Sequence, residues 1–124
     1  MIATKEFVKE CFERFNGQIF AGELPDIPIV LSRAKTFLGK VEYKSVRGFF
    51  GRILSNSDFR MKISTTYDLP EDVLEDVVLH EMIHYYIALK KIKDKSAHGP
   101  KFREMMKRIN AEYGRHITIS HRLK

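Results

Sequence analysis

Cysteine is almost absent from this chain, since Cys11 is the only one among its 124 residues. A lone cysteine excludes an internal disulfide and a cysteine-based zinc cluster within the chain, and it favours a reducing compartment. No run of eighteen apolar residues occurs, which excludes a transmembrane helix. The first six residues also lack the basic and then apolar layout of a signal peptide. We therefore expect a cytoplasmic protein with no membrane partner.

Repeats, low-complexity tracts and linkers are missing from the sequence as well. The hydrophobic fraction of 44% and the charged fraction of 31% are typical of a folded globular protein and exclude wholesale disorder. We predict a single domain over residues 1–124 with one hydrophobic core. The sequence gives no indication of an oligomeric state.

Acidic residues become scarce in the last third of the chain. Residues 1–89 hold 11 basic and 13 acidic side chains and residues 90–124 hold 11 and 3, which gives net charges of −2 and +8. The asymmetry predicts a basic face suited to DNA or another polyanion, although such lysines often form only a solvated surface. The candidate nucleic-acid contacts are Lys90, Lys91, Lys93, Lys95, Lys101, Arg103, Lys107 and Arg108.

The spacing of apolar residues predicts an α+β fold with three helices and a small, mainly antiparallel sheet. The predicted helices cover residues 4–16, the stretch from Asp68 to about Leu89, and the stretch from Gly99-Pro100 to Gly114. The predicted strands cover residues 27–31, 36–43, 49–64 and 117–120. Thr4 and Asp68 are expected to cap the first two helices, and Gly17 is expected to end the first.

Residues 77–89 form an apolar segment in which, apart from two tyrosines, only His80, Glu81 and His84 are ionisable. A helix that is apolar on all sides is a buried helix. Burying an ionised carboxylate without partners costs on the order of several kcal/mol. These three residues therefore need a compensating role, and a divalent metal ion supplies one.

The spacing of the two histidines suits zinc. Residues four apart on a helix have Cβ atoms about 5–6 Å apart, so His80 and His84 can bind one ion. Glu81 is rotated by about 100° from His80 and lies beside the ligand direction. It can act there as a general base toward a water whose pKa zinc lowers to about 7. This is the HExxH arrangement of zinc proteases.

A catalytic zinc site takes three protein ligands, so a third ligand is expected. The metzincin pattern is excluded because Ile87 and Lys90 stand where glycine and histidine would be needed. Two candidates remain. His98 directly precedes the third helix, whereas Glu104 lies within that helix among basic residues and off its apolar stripe. The pattern favours His98 over Glu104 and leaves both open.

Several further segments, read together with the histidine helix, resemble the SprT-like family of zinc metalloproteases, and the resemblance spans most of the chain. The segments that carry it are His80-Glu81-Met82-Ile83-His84, His98-Gly99-Pro100-Lys101-Phe102, Arg108-Ile109-Asn110, Ile117-Thr118-Ile119-Ser120-His121, Phe15-Asn16 and Phe20-Ala21-Gly22-Glu23-Leu24-Pro25. With Cys11 as its sole cysteine, the chain lacks the cysteine-pair zinc ribbon that follows the domain in many bacterial members.

The resemblance implies a small zincin-like core with the active helix packed on a sheet. It implies zinc (Zn2+) held by His80, His84 and His98, and Glu81 as the catalytic base. The implied activity is hydrolysis of peptide bonds in protein substrates, with DNA-bound or DNA-crosslinked proteins as candidates.

One alternative function belongs to another class. A zinc-stabilised nucleic-acid-binding or transcription-associated module would use the same ligands with little or no proteolysis. A fully enclosed zinc site would favour that module, whereas a cleft that exposes the metal and Glu81 would favour the enzyme.

Overall fold

The structure of the protein, a computed structural model, describes residues 1–120. The helices are α1 (Lys5–Ile19), α2 (Glu71–Leu89) and α3 (Pro100–Tyr113), and the strands are β1 (Ile29–Ser32), β2 (Gly39–Arg47) and β3 (Ile53–Ser64). The predicted α+β fold is confirmed. No helix among the described residues is both long and apolar enough to cross a membrane.

The sheet has three strands in the order β1-β3-β2. The long hairpin of β2 and β3 is antiparallel, with Gly39 opposite Ile63. The short strand β1 pairs in parallel with β3, with Ile29 opposite Met61. The sheet is therefore mainly antiparallel, as predicted, and the short parallel pairing of β1 with β3 makes it a mixed sheet.

The predicted alternation along β3 is present and orients the sheet. Met61 and Ile63 are fully buried, whereas Arg60 and Lys62 point away from the core. The buried face packs against α2, which is itself packed by α1 and α3. Helix α2 is thus enclosed on nearly all sides, and ten of its nineteen residues are buried. Each large apolar side chain buried there contributes roughly 1.5–3 kcal/mol.

The helix ends agree only in part with the predicted caps. The Thr4 side chain accepts a hydrogen bond from the Phe7 N–H at 3.1 Å, as predicted. Helix α1, however, continues past Gly17 to Ile19. Asp68 does not cap α2, whose N-cap is Pro70 without a side-chain hydrogen bond, and it pairs instead with the amino group of Met1.

The predicted strand at residues 117–120 is wrong. Among the described residues they have no ladder partner, and they belong to a segment without regular secondary structure beside α2, which we call the C-terminal strap (residues 115–120). Asn110 holds the strap through two hydrogen bonds with the backbone of Ile117, at 2.9 and 3.0 Å. Arg115 pairs with Asp76 of α2 at 2.7 Å. Side chains therefore satisfy backbone groups that a neighbouring strand would otherwise have paired. His121 lies outside the described residues.

Candidate active site

The middle of α2 carries the ionisable residues that the sequence singled out. His80 and Glu81 are each only 3% exposed, while His84 is half-buried. The helix reaches this depth because its other side chains are apolar, including the fully buried Leu79 and Met82. Polar groups at such depth require partners, so the contacts of these three residues decide what the site can do.

Three imidazole rings converge at one point. The Nε2 atoms of His80, His84 and His98 are mutually 3.1 Å apart. Nitrogen ligands about 2.0–2.1 Å from a tetrahedral zinc ion would lie about 3.3 Å from one another. The triangle therefore fits a metal ion, and within residues 1–120 these histidines form the one group of three or more potential ligands.

The tautomer of His80 is set by the C-terminal strap. Its Nδ1 lies 2.8 Å from the carbonyl oxygen of Thr118. Because a carbonyl only accepts, Nδ1 carries the proton, and Nε2 of the neutral ring keeps its lone pair toward the triangle. A ligand histidine held by such an outer hydrogen bond is typical of metal sites.

Asp94 fixes the connection between α2 and α3, which carries His98. Its carboxylate accepts hydrogen bonds from the N–H groups of Lys95 at 2.8 Å and Phe102 at 3.0 Å. Desolvation raises the pKa of Asp94, but these backbone donors hold it below its ordinary value of 3.8. A Cβ atom at Gly99 would lie 2.3 Å from the Asp94 carboxylate. Glycine after His98 therefore lets the carboxylate approach the start of α3.

Phe102 supports the three rings from the first turn of α3. Its ring centroid lies 4.9 Å from those of His80 and His98 and 4.5 Å from that of His84. The side chain is fully buried. Arg103 adds a further link, since its Nε donates to the carbonyl of His98 at 2.9 Å. Helix α3 thus positions the third histidine from both sides.

Glu81 lies against the first residue of β2. A Cβ atom at Gly39 would come within 2.8 Å of the Glu81 Cγ atom and 3.0 Å of its Oε2. The same Oε2 lies 3.9 Å from His80 Nε2. The absence of a side chain at position 39 therefore creates the space that the carboxylate occupies next to the triangle.

The triangle opens into a cleft of about 1280 Å³. One wall is formed by the start of β2 and the end of the β2–β3 hairpin, and the other by the end of α2 and the connection to α3. His80, Glu81, His84 and His98 all line it. The three histidines are thus reached from solvent rather than enclosed.

The structure separates the predicted nucleic-acid contacts into two sets. Lys90, Lys91 and Lys93 line the cleft, and we call them the lysine rim. The others do not line it: Lys95, Lys101, Arg103, Lys107 and Arg108.

The structure decides between the two candidates for the third position of the triangle, and it adds contacts that the sequence did not predict. Glu104 is exposed on α3, so His98 is the residue brought to the triangle. Sequence reasoning missed the roles of Gly39, Asp94 and the Thr118 carbonyl. Only Gly39 had a signal, as a glycine near a predicted strand. A backbone carbonyl carries no signal in a sequence.

Together the fold and the site define the class: an α+β protein with a zincin-like core and three histidines at an open cleft that could hold a metal ion. A family model described as SprT-like matches residues 8–121. The chain belongs to the SprT-like family.

Curated relatives are similar over most of this chain. The DNA-dependent metalloprotease SPRTN of Homo sapiens is 33% identical over 112 residues, which is 89% of this chain and 22% of that protein. The DNA-dependent metalloprotease dvc-1 of Caenorhabditis elegans is 34% identical over 112 residues, or 89% of this chain and 29% of that protein. The chain thus spans less than a third of the length of either relative.

Proposed function

We propose that this protein is a zinc-dependent metallopeptidase of the HExxH type that hydrolyses peptide bonds in protein substrates. The observation that carries the proposal is the triangle of Nε2 atoms 3.1 Å apart, with the Glu81 carboxylate beside it, at the base of a cleft. Its membership of the SprT-like family and its similarity to proteins named metalloproteases support the same function.

In this proposal His80, His84 and His98 hold the zinc ion. Three neutral imidazoles suit zinc, and the Thr118 carbonyl supports the required tautomer of His80. When bound, zinc would lower the pKa of a coordinated water and polarise the carbonyl of the scissile bond.

Glu81 is the general base of the proposed reaction. Its carboxylate accepts the proton that the attacking water loses, and it delivers this proton to the leaving amine as the C–N bond breaks. Its position against Gly39 restrains the side chain, so the acceptor oxygen is oriented before the substrate arrives. The buried surroundings strengthen this interaction because little water competes for the carboxylate.

The zinc-stabilised binding module fits the site less well. Structural zinc sites have four protein ligands and are closed, whereas the group described here has three histidines and faces a cleft. A buried carboxylate next to the ligands adds nothing to a purely structural role.

We further propose that DNA contacts this protein beside the cleft. The relatives are named DNA-dependent metalloproteases, and the lysine rim gives the cleft one basic wall. A DNA backbone held there would present bound proteins to Glu81. With one buried cysteine, the protein suits a reducing compartment, and we assign it to the cytoplasm.

The experiment that tests this proposal replaces the general base, Glu81, by a residue of the same shape. Glu81→Gln retains the side-chain volume but no longer accepts a proton, so cleavage of an unfolded or DNA-bound protein should fall at least about a hundredfold. The zinc content of the purified variant should equal that of the parent. Cleavage at the parent rate would remove Glu81 from the mechanism, and loss of zinc would assign it to metal binding.

A further inference from the structure

The turn between β2 and β3 exposes two phenylalanines to solvent. We call residues 48–52 the hairpin tip. Phe49 is 92% exposed and Phe50 is 106% exposed. Val46 and Leu54, on the adjoining strands, are each 53% exposed. Aromatic rings with so little contact contribute nothing to the core, and a contiguous exposed apolar patch marks an interaction site.

The backbone at the hairpin tip adds a second unusual feature. Phe50 has φ 64° and ψ 22°, the left-handed conformation that normally favours glycine or asparagine. Gly51 follows with φ 72°. A bulky aromatic residue in this conformation is strained, and its exposed ring gains no packing in return. The fold alone therefore gives no reason for phenylalanine at position 50.

Charge around the hairpin tip is of one sign. Arg47 precedes the tip and Arg52 is its last residue, and both line the cleft. The Arg47 guanidinium donates to the carbonyl of Gly51 at 3.0 Å. The lysine rim lies across the same cleft, and Lys91 Nζ reaches the Leu54 carbonyl at 3.3 Å. Among the described residues that line the cleft, the acidic ones are Glu81 and Asp94. The basic side chains that line the cleft outnumber these two, so the cleft suits a polyanion: Lys40, Arg47, Arg52 and the three lysines of the rim.

We propose that the hairpin tip binds single-stranded nucleic acid. Unpaired bases would stack on Phe49 and Phe50, while Arg47, Arg52 and the lysine rim contact the phosphates. Exposed aromatic rings beside a basic groove are the combination by which proteins hold unpaired strands. A duplex fits less well because its bases are already stacked on one another. The inference rests on the proposed contact of DNA with this cleft. It adds that the hairpin tip makes this contact prefer a single strand over a duplex.

A membrane surface would use similar chemistry, but the arrangement favours a strand. Phe50, Gly51 and Arg52 line the cleft. The lysine rim lines the same cleft from the end of α2 and the connection that follows it. A strand following the cleft would meet the Phe50 ring and the basic side chains of the hairpin and of the lysine rim, and Phe49 lies next to Phe50 in the chain. A flat bilayer would meet only the end of the hairpin.

The test measures binding by fluorescence anisotropy, using the zinc-loaded chain and three probes of equal length: an oligothymidine, an abasic oligomer with the same phosphates, and a duplex. Replacing both rings by leucine keeps apolar area but removes the stacking faces. Phe49→Leu with Phe50→Leu should weaken oligothymidine binding about thirtyfold, from about 1 kcal/mol for each stacked base. Binding of the abasic oligomer should not change, and the double substitution to tyrosine should bind oligothymidine like the parent.

Tyr113→Leu is the matched control, because Tyr113 is 42% exposed on α3 and does not line the cleft. Equal oligothymidine affinity in the leucine variant and the parent, or equal parent affinity for strand and duplex, would overturn the inference. Parent binding to phosphatidylserine vesicles that survives the leucine changes, with no ring-dependent binding of oligothymidine, would assign the tip to a membrane. No nucleic-acid binding by the parent at low salt would overturn the proposed DNA contact as well, whereas a failure of the Glu81 cleavage test alone would leave this inference intact.

Discussion

At the scale of single residues, the site depends on glycine at position 39, which has no Cβ atom. An added Cβ would lie 2.8 Å from Glu81 Cγ, closer than real Cβ contacts come. Because Glu81 is enclosed within the fold, its carboxylate would have to shift relative to the histidine triangle. Displacement of a catalytic group by about 1 Å can cost on the order of a hundredfold in rate.

Gly39→Ala should therefore lower kcat/KM for a protein substrate by roughly ten- to a hundredfold while zinc content stays at the parent level. The matched control is Gly17→Ala, since position 17 lies within α1 with open space for a methyl group. The control should keep full activity and should gain about 0.5–1 kcal/mol of stability from its higher helix propensity. Equal activity in the Gly39→Ala variant and the parent would contradict the proposed role of this contact.

The third ligand gives a second prediction at this scale. His98→Ala should lower zinc affinity by at least about a hundredfold, because two ligands then remain of three. Glu104→Ala should leave affinity unchanged, since Glu104 is exposed on α3. Competitive titration with a zinc chelator measures both. The opposite result would place a glutamate in the ligand set.

The sequence predicted the proposed ligands and general base of this site better than the contacts that hold them in place. His80, Glu81 and His84 share one helix, so their spacing alone predicts their relation. The residue pattern favoured His98 over Glu104 but left both open, and the family resemblance implied His98. The Thr118 carbonyl could not be predicted, because its role depends on where the C-terminal strap lies against α2.

At the scale of secondary-structure elements, the start of α3 links helix formation to the metal site. Asp94 accepts from the N–H of Phe102 in the first turn of α3, and the same turn follows His98. Hydrogen bonds from a side chain to the first turn typically contribute about 1 kcal/mol to a helix. Here the same contact also fixes the backbone that carries the ligand.

Asp94→Ala should consequently lower zinc affinity by about ten- to a hundredfold, the range seen when a group that orients a metal ligand is lost. Asp94→Asn keeps an acceptor oxygen and should recover part of the affinity. The control is Lys95→Ala, because Lys95 contributes only its backbone N–H to this contact. The zinc dissociation constants of the three variants test this prediction. Identical values for Asp94→Ala and the parent would show that Asp94 does not orient the third histidine.

Prediction of helices and strands succeeded where local sequence signals agreed, and it failed where contacts with distant residues determined the backbone conformation. Helix α3 ends at Gly114, whose φ of 64° is the left-handed value expected of a terminal glycine. The alternation of Ile117 and Ile119 predicted a strand, yet this segment is held by Asn110 and Arg115. Periodicity records which side chains face inward and does not identify the partner of the backbone.

At the scale of the whole molecule, charge is distributed around the cleft rather than confined to the last third. The lysine rim comes from the basic C-terminal part, but Arg47 and Arg52 face it from the β2–β3 hairpin. Counting charges along the chain could not have found this, because the hairpin belongs to the part with a net charge of −2. Folding brings the two sets of basic side chains to one cleft.

Replacing Lys90, Lys91, Lys93 and Lys95 by alanine should weaken DNA binding and reduce its salt dependence. Three of these residues line the cleft, so the slope of log affinity against log salt should fall by about 2 to 3. The control replaces Lys107 and Arg108, which lie on α3 away from the cleft. A larger effect of the control would move the DNA contact to the outer face of α3, and no effect of either would remove the contact.

The hydrogen bond between His80 and Thr118 has a consequence for synthesis of the protein. These residues are 38 positions apart, and His98 lies between them. When the ribosome has just completed α2, the HExxH segment exists but its third ligand and the carbonyl that orients His80 do not. Contacts of such sequence separation form late in folding. A nascent chain therefore carries the motif without the complete site, and the proposed activity requires residues 98 and 118 to have been made and folded.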